Sequence, residues 1–440
     1  MLDKYKTQIL FSFRHKFGSE KLAVIHNIAW LFIDRILRMG FGLVLGVWIA
    51  RYLGVQQFGI FNYATAFVAL FNPLTNLGLD SLVIRSIMRN PEAKDQILGT
   101  AFWLKLGGGI GCVLLTVSSI FILRQNDQLT VGLVAILATA GIFSAFDTID
   151  IWFQSQVQSK YTIVAKNTAF IIIALLKVAL IKMHAPLLAF AWAGLAEIGL
   201  GAAGLILVYK VKGYSLWLWR WNFPLARTLL KESWPLMLSG LTIMIYMKID
   251  QIMLGEMIGV SAVGLYSAAS RISEVWYFIP MAIASSVTPS IFAAKEVSEE
   301  LYYQRIKKLI RGLVLISIVV ALPMSFLSET IITLLFSNGY TTAGLILAIH
   351  IWASLFVFMG VATSSWFVAE GLTHLSLRRT LIGAITNVLL NLLLIPHYAG
   401  VGAAIATVFS QAVASFLSNA TNAKSRKIFK VQIQCLLPFD

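Results

Sequence analysis

Charge is what this sequence has least of. Among 440 residues there are 35 Lys or Arg and 20 Asp or Glu, 12% in all. Soluble domains carry about 25%. With 58% hydrophobic residues and a mean hydropathy of +0.80, the chain has too few polar side chains to clothe itself in water. Most of its surface must face lipid. Cysteine is nearly absent too. Cys112 and Cys435 form no spacing motif, which leaves no disulfide framework and no zinc pattern. No stretch reads GxxxxGK[ST], and LGGGIG (106–111) lacks the lysine. It reads as close helix packing inside an apolar segment. Together with the lack of any sizeable polar block, this argues against an ATP-driven pump.

Positive charge, by contrast, is in excess. The net charge is +15. In a soluble protein that would suggest nucleic acid. In a membrane protein it belongs to cytoplasmic loops, so no nucleic-acid partner is expected.

Twelve segments are long and apolar enough to cross a bilayer, which takes roughly 20 residues. They fall at 22–52, 58–88, 95–123, 128–158, 161–183, 185–210, 227–255, 261–294, 305–328, 341–369, 373–396 and 399–423. Pro73, Pro280 and Pro289 are expected kink sites, because each removes a backbone donor. The basic, aromatic opening MLDKYKTQILFSFRHKFGSEK reads as an interfacial leader rather than a cleavable signal.

Loop charges test the count. With the N-terminus in the cytoplasm, one side receives Lys4, Lys6, Arg14, Lys16, Arg89, Lys94, Lys160, Lys210, Lys212, Arg220, Lys295, Lys307, Lys308, Arg378, Arg379, Lys424, Arg426, Lys427 and Lys430. The other side holds little beyond Arg51, Arg124 and Lys182. An error of one span would scramble this alternation, so both termini are expected in the cytoplasm. Trp217, Trp219 and Trp221 around Arg220 read as an interfacial belt.

The chain repeats itself. RYLGVQQFGIFNYA (51–64) aligns with EMIGVSAVGLYSAA (256–269), placing Gly54 on Gly259 and Gly59 on Gly264. A weaker echo sets Glu197 against Gln411. The first stretch joins spans one and two, the second spans seven and eight. A six-span offset makes the repeat parallel, as in secondary transporters that rock around a central site. The expected organisation is a first half over 1–212, a basic Trp-rich cytoplasmic linker over 213–226, and a second half over 227–440. The fold class is an all-α integral membrane protein of about twelve transmembrane helices, in two pseudo-symmetric six-helix lobes around a central cavity.

Ionisable residues inside spans cost at least ~2.5–3.5 kcal/mol each by insertion scales, and normally face a partner or a wet cavity. Here they are Asp34, Arg35, Arg38, Asp80, Lys105, Asp147, Asp150, Lys177, Glu197, Lys248, Asp250, Arg271 and Glu274. Arg85 and Lys166 lie nearer an edge and are expected to snorkel. Asp34 and Arg38 are i,i+4; Arg271 and Glu274 are i,i+3; both can pair locally. Arg35, Lys105 and Lys177 have no acid one turn away. Unpaired cations at depth suggest a cationic cavity. Arginine binds phosphate oxygens bidentately, so the substrate is expected to be anionic and phosphate-bearing. The acids Asp34, Asp80, Asp147, Asp150, Glu197, Asp250 and Glu274 are the candidates for ion coupling or for lining the cavity.

Four stretches, in order, carry a family likeness: IARYLGVQQFGIFNYA, GLDSLVIRSIMRN, KIDQIMLGEMIGVSAVGLYSAASRI and NVLLNLLLIPHYAGVGAAIATVFSQ. Over nearly its whole length the chain resembles Wzx-type polysaccharide flippases, of the superfamily that also holds multidrug and toxin extrusion exporters and the lipid II flippase. The resemblance implies two lobes in a V around a cavity. It implies movement of an undecaprenyl-diphosphate-linked oligosaccharide across the bacterial inner membrane, with the tail left in the bilayer. It implies no enzymatic activity and no cofactor. A polysaccharide polymerase and a chain-length regulator would be further partners. Basic residues of spans one and eight serve in the superfamily, which assigns diphosphate contact to Arg35, Arg38 and Arg271; Lys105, Lys177 and Lys248 join them on depth alone. The resemblance transfers no coupling residue. An ion-coupled multidrug exporter of the same fold is the alternative, for which the cavity should be aromatic and acidic. A membrane polymerase would need a long external loop, and all such loops are short here.

Overall fold

The computed structural model describes the backbone of residues 2–436 and the side chains of residue 30 and residues 37–436. The expectations for the leader, for Asp34 and for Arg35 fall on side chains outside the described residues.

Among the described residues there is no strand, only helices joined by short turns and loops, as a hydrocarbon environment demands of a backbone that must satisfy its own polar groups. The first half contains α1 (Leu2–Asn76), α2 (Asp80–Arg89), α3 (Lys94–Leu123), α4 (Gln128–Phe143), α5 (Asp147–Ser155), α6 (Lys160–Lys182) and α7 (Leu187–Val211). The second contains α8 (Phe223–Met257), α9 (Val260–Glu274), α10 (Phe278–Val297), α11 (Glu299–Phe336) and α12 (Ala343–His350). It continues with α13 (Ala353–Ala369), α14 (Thr373–Ser415) and α15 (Arg426–Leu436).

Among the described residues, ten helical stretches are long and apolar enough to cross a membrane. Two of them, the longest, break at a residue with non-helical backbone. Leu37–Arg89, 53 residues, turns at Gly54 (φ 68°, ψ 174°), and Thr373–Ala420, 48 residues, turns at Ala399 (φ 45°, ψ −127°). A straight helix of the first length would run about 80 Å, far beyond a hydrocarbon core about 30 Å thick. The expected twelve spans therefore require both broken stretches to cross twice. Pro73 and Pro289 lie inside α1 and α10. Pro280 does not sit in a helix interior; it follows the short 3-10 turn Val275–Tyr277 that divides α9 from α10.

The repeat is visible as a contact. Gly54 and its counterpart Gly259 both take positive φ, 68° and 124°, where a side chain would be strained. Five residues on, Gly59 and Gly264 pack against each other. A methyl group on Gly59 would strike the Val260 carbonyl, and one on Gly264 would strike the Val55 carbonyl. Each half touches the other with the same two positions, the signature of a two-fold relation.

The apolar cores also show how the halves meet. One cluster draws on both halves, joining Leu53, Phe58, Tyr63 and Leu133 to Val263, Phe336 and Ile395. At the opposite end there are two clusters. One, around Leu98, Ile149 and Tyr209, takes in Leu229 from the first turns of α8. The other, around Ile306, Phe358 and Trp366, belongs wholly to the second half. The halves thus share a core at the end that carries Arg51 and Arg124 and have separate cores at the other. The three tryptophans do not act alike. Trp217 is 94% exposed, whereas the Trp219 indole N–H donates to the Tyr209 hydroxyl at 3.1 Å.

Candidate functional site

A cavity of about 550 Å³ lies in the first half, walled by α1, α4, α5, α6 and α7. Small residues open it: Ala69, Ala140, Gly141, Gly194 and Gly201 stand where larger side chains would close it. Its polar lining includes Asn72, Thr75, Asn76 and Ser144. Its charged lining is Arg38, Asp147, Lys166 and Glu197. Opposite charges meet here. Lys166 sits between Asp147 and Asp150, 2.8 Å from each. Lys177 meets Glu197 at 2.9 Å. The Arg38 guanidinium lies 5.5 Å from the centre of the Phe170 ring.

Three expectations are corrected here. Lys177 is not an unpaired cation, because its acid stands across the α6–α7 contact. Lys105, fully buried, is not unpaired either: it reaches Asp80 at 2.5 Å and ties α3 to α2, away from the cavity lining. Lys166 does not snorkel to an edge but clamps two carboxylates. The reason is common to all three. A partner on a neighbouring helix, 16 to 25 residues away in sequence, replaces the one-turn partner that a single helix can show. The cavity is therefore charged but balanced.

Arg271 stands apart, on the seam between the halves. From α9 its guanidinium packs against Gly46 of α1, where even a methyl group would collide with it, and lies 5.6 Å from the Phe58 ring centre. The expected ion pair with Glu274 is not formed. Among the described residues Arg271, Lys248 and Glu274 have no ion-pair partner.

Asp250 has a different setting. It is 3% exposed, at the junction of α8, α9 and α14. Its carboxylate accepts from Asn391 Nδ2 at 2.5 Å, Tyr266 OH at 2.6 Å and Thr407 Oγ1 at 2.6 Å. Asn391 also donates to Asn387 Oδ1 at 3.1 Å, and Asn387 donates to Ser410 Oγ at 3.4 Å. Three donors make a buried carboxylate tolerable where a bare one would be expelled. Sequence reasoning singled out the acid and missed its shell. The cue was available in NVLLNLLL, where Asn387 and Asn391 fall on one helix face of an otherwise apolar run.

At the end where the cores merge, a polar cluster bridges the halves. Arg124 Nε donates to Glu256 Oε1 at 2.9 Å and its Nη2 donates to the Gly255 carbonyl at 2.9 Å. Tyr63 OH donates to the same Glu256 oxygen, and the Arg124 guanidinium lies over the Tyr63 ring at 4.2 Å.

The family of polysaccharide biosynthesis proteins matches residues 24–295, well over half the chain, and the MatE family matches 235–393. The chain belongs to the polysaccharide biosynthesis protein family. Among curated relatives, it is 25% identical over 409 residues to a probable low-salt glycan biosynthesis flippase of Haloferax volcanii, covering 88% of this chain and 81% of that one. It is 34% identical over 189 residues to a second probable flippase of that organism, covering 41% and 39%. Among solved structures, an inward-facing multidrug resistance MATE family transporter matches with TM-score 0.72 and 16% identity over 93% of this chain and 99% of that one. The lipid II flippase in an inward closed conformation matches at 0.69 and 17%, over 94% and 91%. This polysaccharide biosynthesis protein thus has the two-lobed fold of the multidrug/oligosaccharidyl-lipid/polysaccharide exporter superfamily.

Proposed function

We propose that this protein flips a lipid-linked oligosaccharide for surface polysaccharide assembly. In this reading the substrate is an undecaprenyl-diphosphate-linked repeat unit of O-antigen or capsule, taken from the cytoplasmic to the outer face of a bacterial inner membrane by alternating access. Both termini are then cytoplasmic, and a polymerase and a chain-length regulator act on the product. The observation that carries it is Arg271: a guanidinium held on the seam between the halves, with no carboxylate within ion-pairing distance among the described residues. A diphosphate entering between the lobes would meet its bidentate donors. Arg38 and Lys248 are the supporting cations, and Arg35 belongs to the same assignment. Lys105 and Lys177, already answered by Asp80 and Glu197, hold the helices together more than they hold substrate.

Passing sugars and a diphosphate through hydrocarbon unaided would strip many hydrogen bonds, each at several kcal/mol. The polar, charge-balanced cavity of the first half offers replacements without a net charge that would trap the substrate. Asp250 is the preferred coupling acid, because it is buried in a ring of oxygen and amide groups and has no lysine or arginine on it; Asp34, Asp80, Asp147, Asp150, Glu197 and Glu274 rank behind it.

Deleting the gene and analysing the membrane lipids tests this. The expected result is loss of surface polysaccharide with accumulation of a polyprenyl-diphosphate-linked oligosaccharide. Normal polysaccharide with altered drug susceptibility would instead establish the ion-coupled multidrug exporter.

A further inference from the structure

The groove between α10 and α11 has no part in the cavity or the seam, and its chemistry is that of a lipid site. It holds about 390 Å³. The two helices run antiparallel, so one end of the groove is polar and the other is not. Ser290, Arg305 and Lys308 form the polar end; Ile283, Val287, Leu313 and Ile316 line the rest. Arg305 is fixed in place by donating to the Ser290 carbonyl, which uses one of its five N–H donors. Lys307 and Arg311 adjoin on the same helix, around a second depression that shares Lys308 and Gly312. The acids at this end, Glu296 on α10 and Glu299 and Glu300 on α11, lie a turn or more along their helices from Ser290 and Arg305, and Glu300 accepts from Gln304.

We propose that this groove binds one anionic phospholipid of the cytoplasmic leaflet, with the phosphate on Arg305 and Lys308 and an acyl chain along Val287 and Leu313. Three observations carry it. The basic end lies on the lysine-rich side of the chain, which the positive-inside rule places in the cytoplasm. From Arg305 to Ile316 is 11 residues, about 16 Å of helix, close to the ~15 Å of one leaflet's hydrocarbon. The surface that continues from the groove is apolar and exposed, with Leu315 at 57% and Val319 at 69%, as a lipid-facing belt is. Basic pockets between transmembrane helices on the cytoplasmic side suit anionic headgroups. The proposal does not depend on what the protein transports.

Gly312 supplies the test. It lines the groove, and a Cβ built on it meets nothing within 4 Å. A leucine there would enter the groove rather than the protein, and leucine is the better helix former. Native mass spectrometry of the full-length protein, titrated with phosphatidylglycerol or phosphatidylcholine of identical chains, reads the binding. Each cation at the headgroup favours the anionic lipid by about fivefold. The wild type should retain one phosphatidylglycerol at least about tenfold more tightly than phosphatidylcholine. Gly312→Leu should lose that lipid with no drop in melting temperature. Arg305→Gln with Lys308→Gln should reduce the preference to near unity, and decides alone if Gly312→Leu does not fold. Equal retention of the two lipids by the wild type, or an undiminished preference in the variants, would overturn the assignment.

Discussion

Lys177 and Glu197 show how single residues are balanced in this membrane protein. Their side chains are 16% and 25% exposed and meet at 2.9 Å beside the cavity. Removing one partner leaves a charge in a medium that solvates it poorly; removing both leaves none. Lys177→Met or Glu197→Gln alone should cost up to about 3 kcal/mol, and the double variant should recover most of it. Thermal unfolding in detergent measures this; a double variant no better than either single one would contradict the pairing. The same logic explains what could be read from sequence. That a lysine at position 177 needs an answer was legible from its apolar surroundings. Which acid answers it was not, because the helix contact that joins α6 to α7 has no signature within one turn of either residue. The place of Lys166 near a segment edge predicts snorkelling, yet Asp147 and Asp150, i,i+3 on one short helix, form a site that fits one ammonium group.

At the scale of elements, the turns at Gly54 and Gly259 were the most legible feature. Two equivalent glycines at equivalent span junctions predict equivalent backbone, and both have positive φ. The Gly59–Gly264 contact is the other half of that repeat, and it brings α1 against α9. The ion pair that closes the same end was not legible. Arg124 and Glu256 belong to span ends 132 residues apart, and only the lobe geometry makes them neighbours. If this cluster latches the halves, Glu256→Gln should loosen it. Spin labels at Gln125 and Ser261, both exposed, would report the change, with the buried Cys112 and Cys435 replaced by serine. The expected outcome is a broader distance distribution shifted to longer values. An unchanged distribution would show that the apolar core holds this end closed without the latch.

The whole molecule is two halves with one shared core at one end and separate cores at the other. On the proposed alternating-access reading, the halves rock about the shared end. The parallel repeat makes two lobes legible in the sequence. The direction of opening was not, since it depends on which apolar faces meet. On this account the cation on the seam, Arg271, contacts the diphosphate. The most direct test places purified protein in vesicles with a fluorescent polyprenyl-diphosphate-linked oligosaccharide and follows its exposure to a membrane-impermeant quencher. The account predicts transfer by the wild type, transfer slowed at least about tenfold in Arg271→Ala, as expected for a lost charge-assisted hydrogen bond, and an intermediate rate in Arg271→Lys. Transfer by Arg271→Ala at the wild-type rate would contradict it.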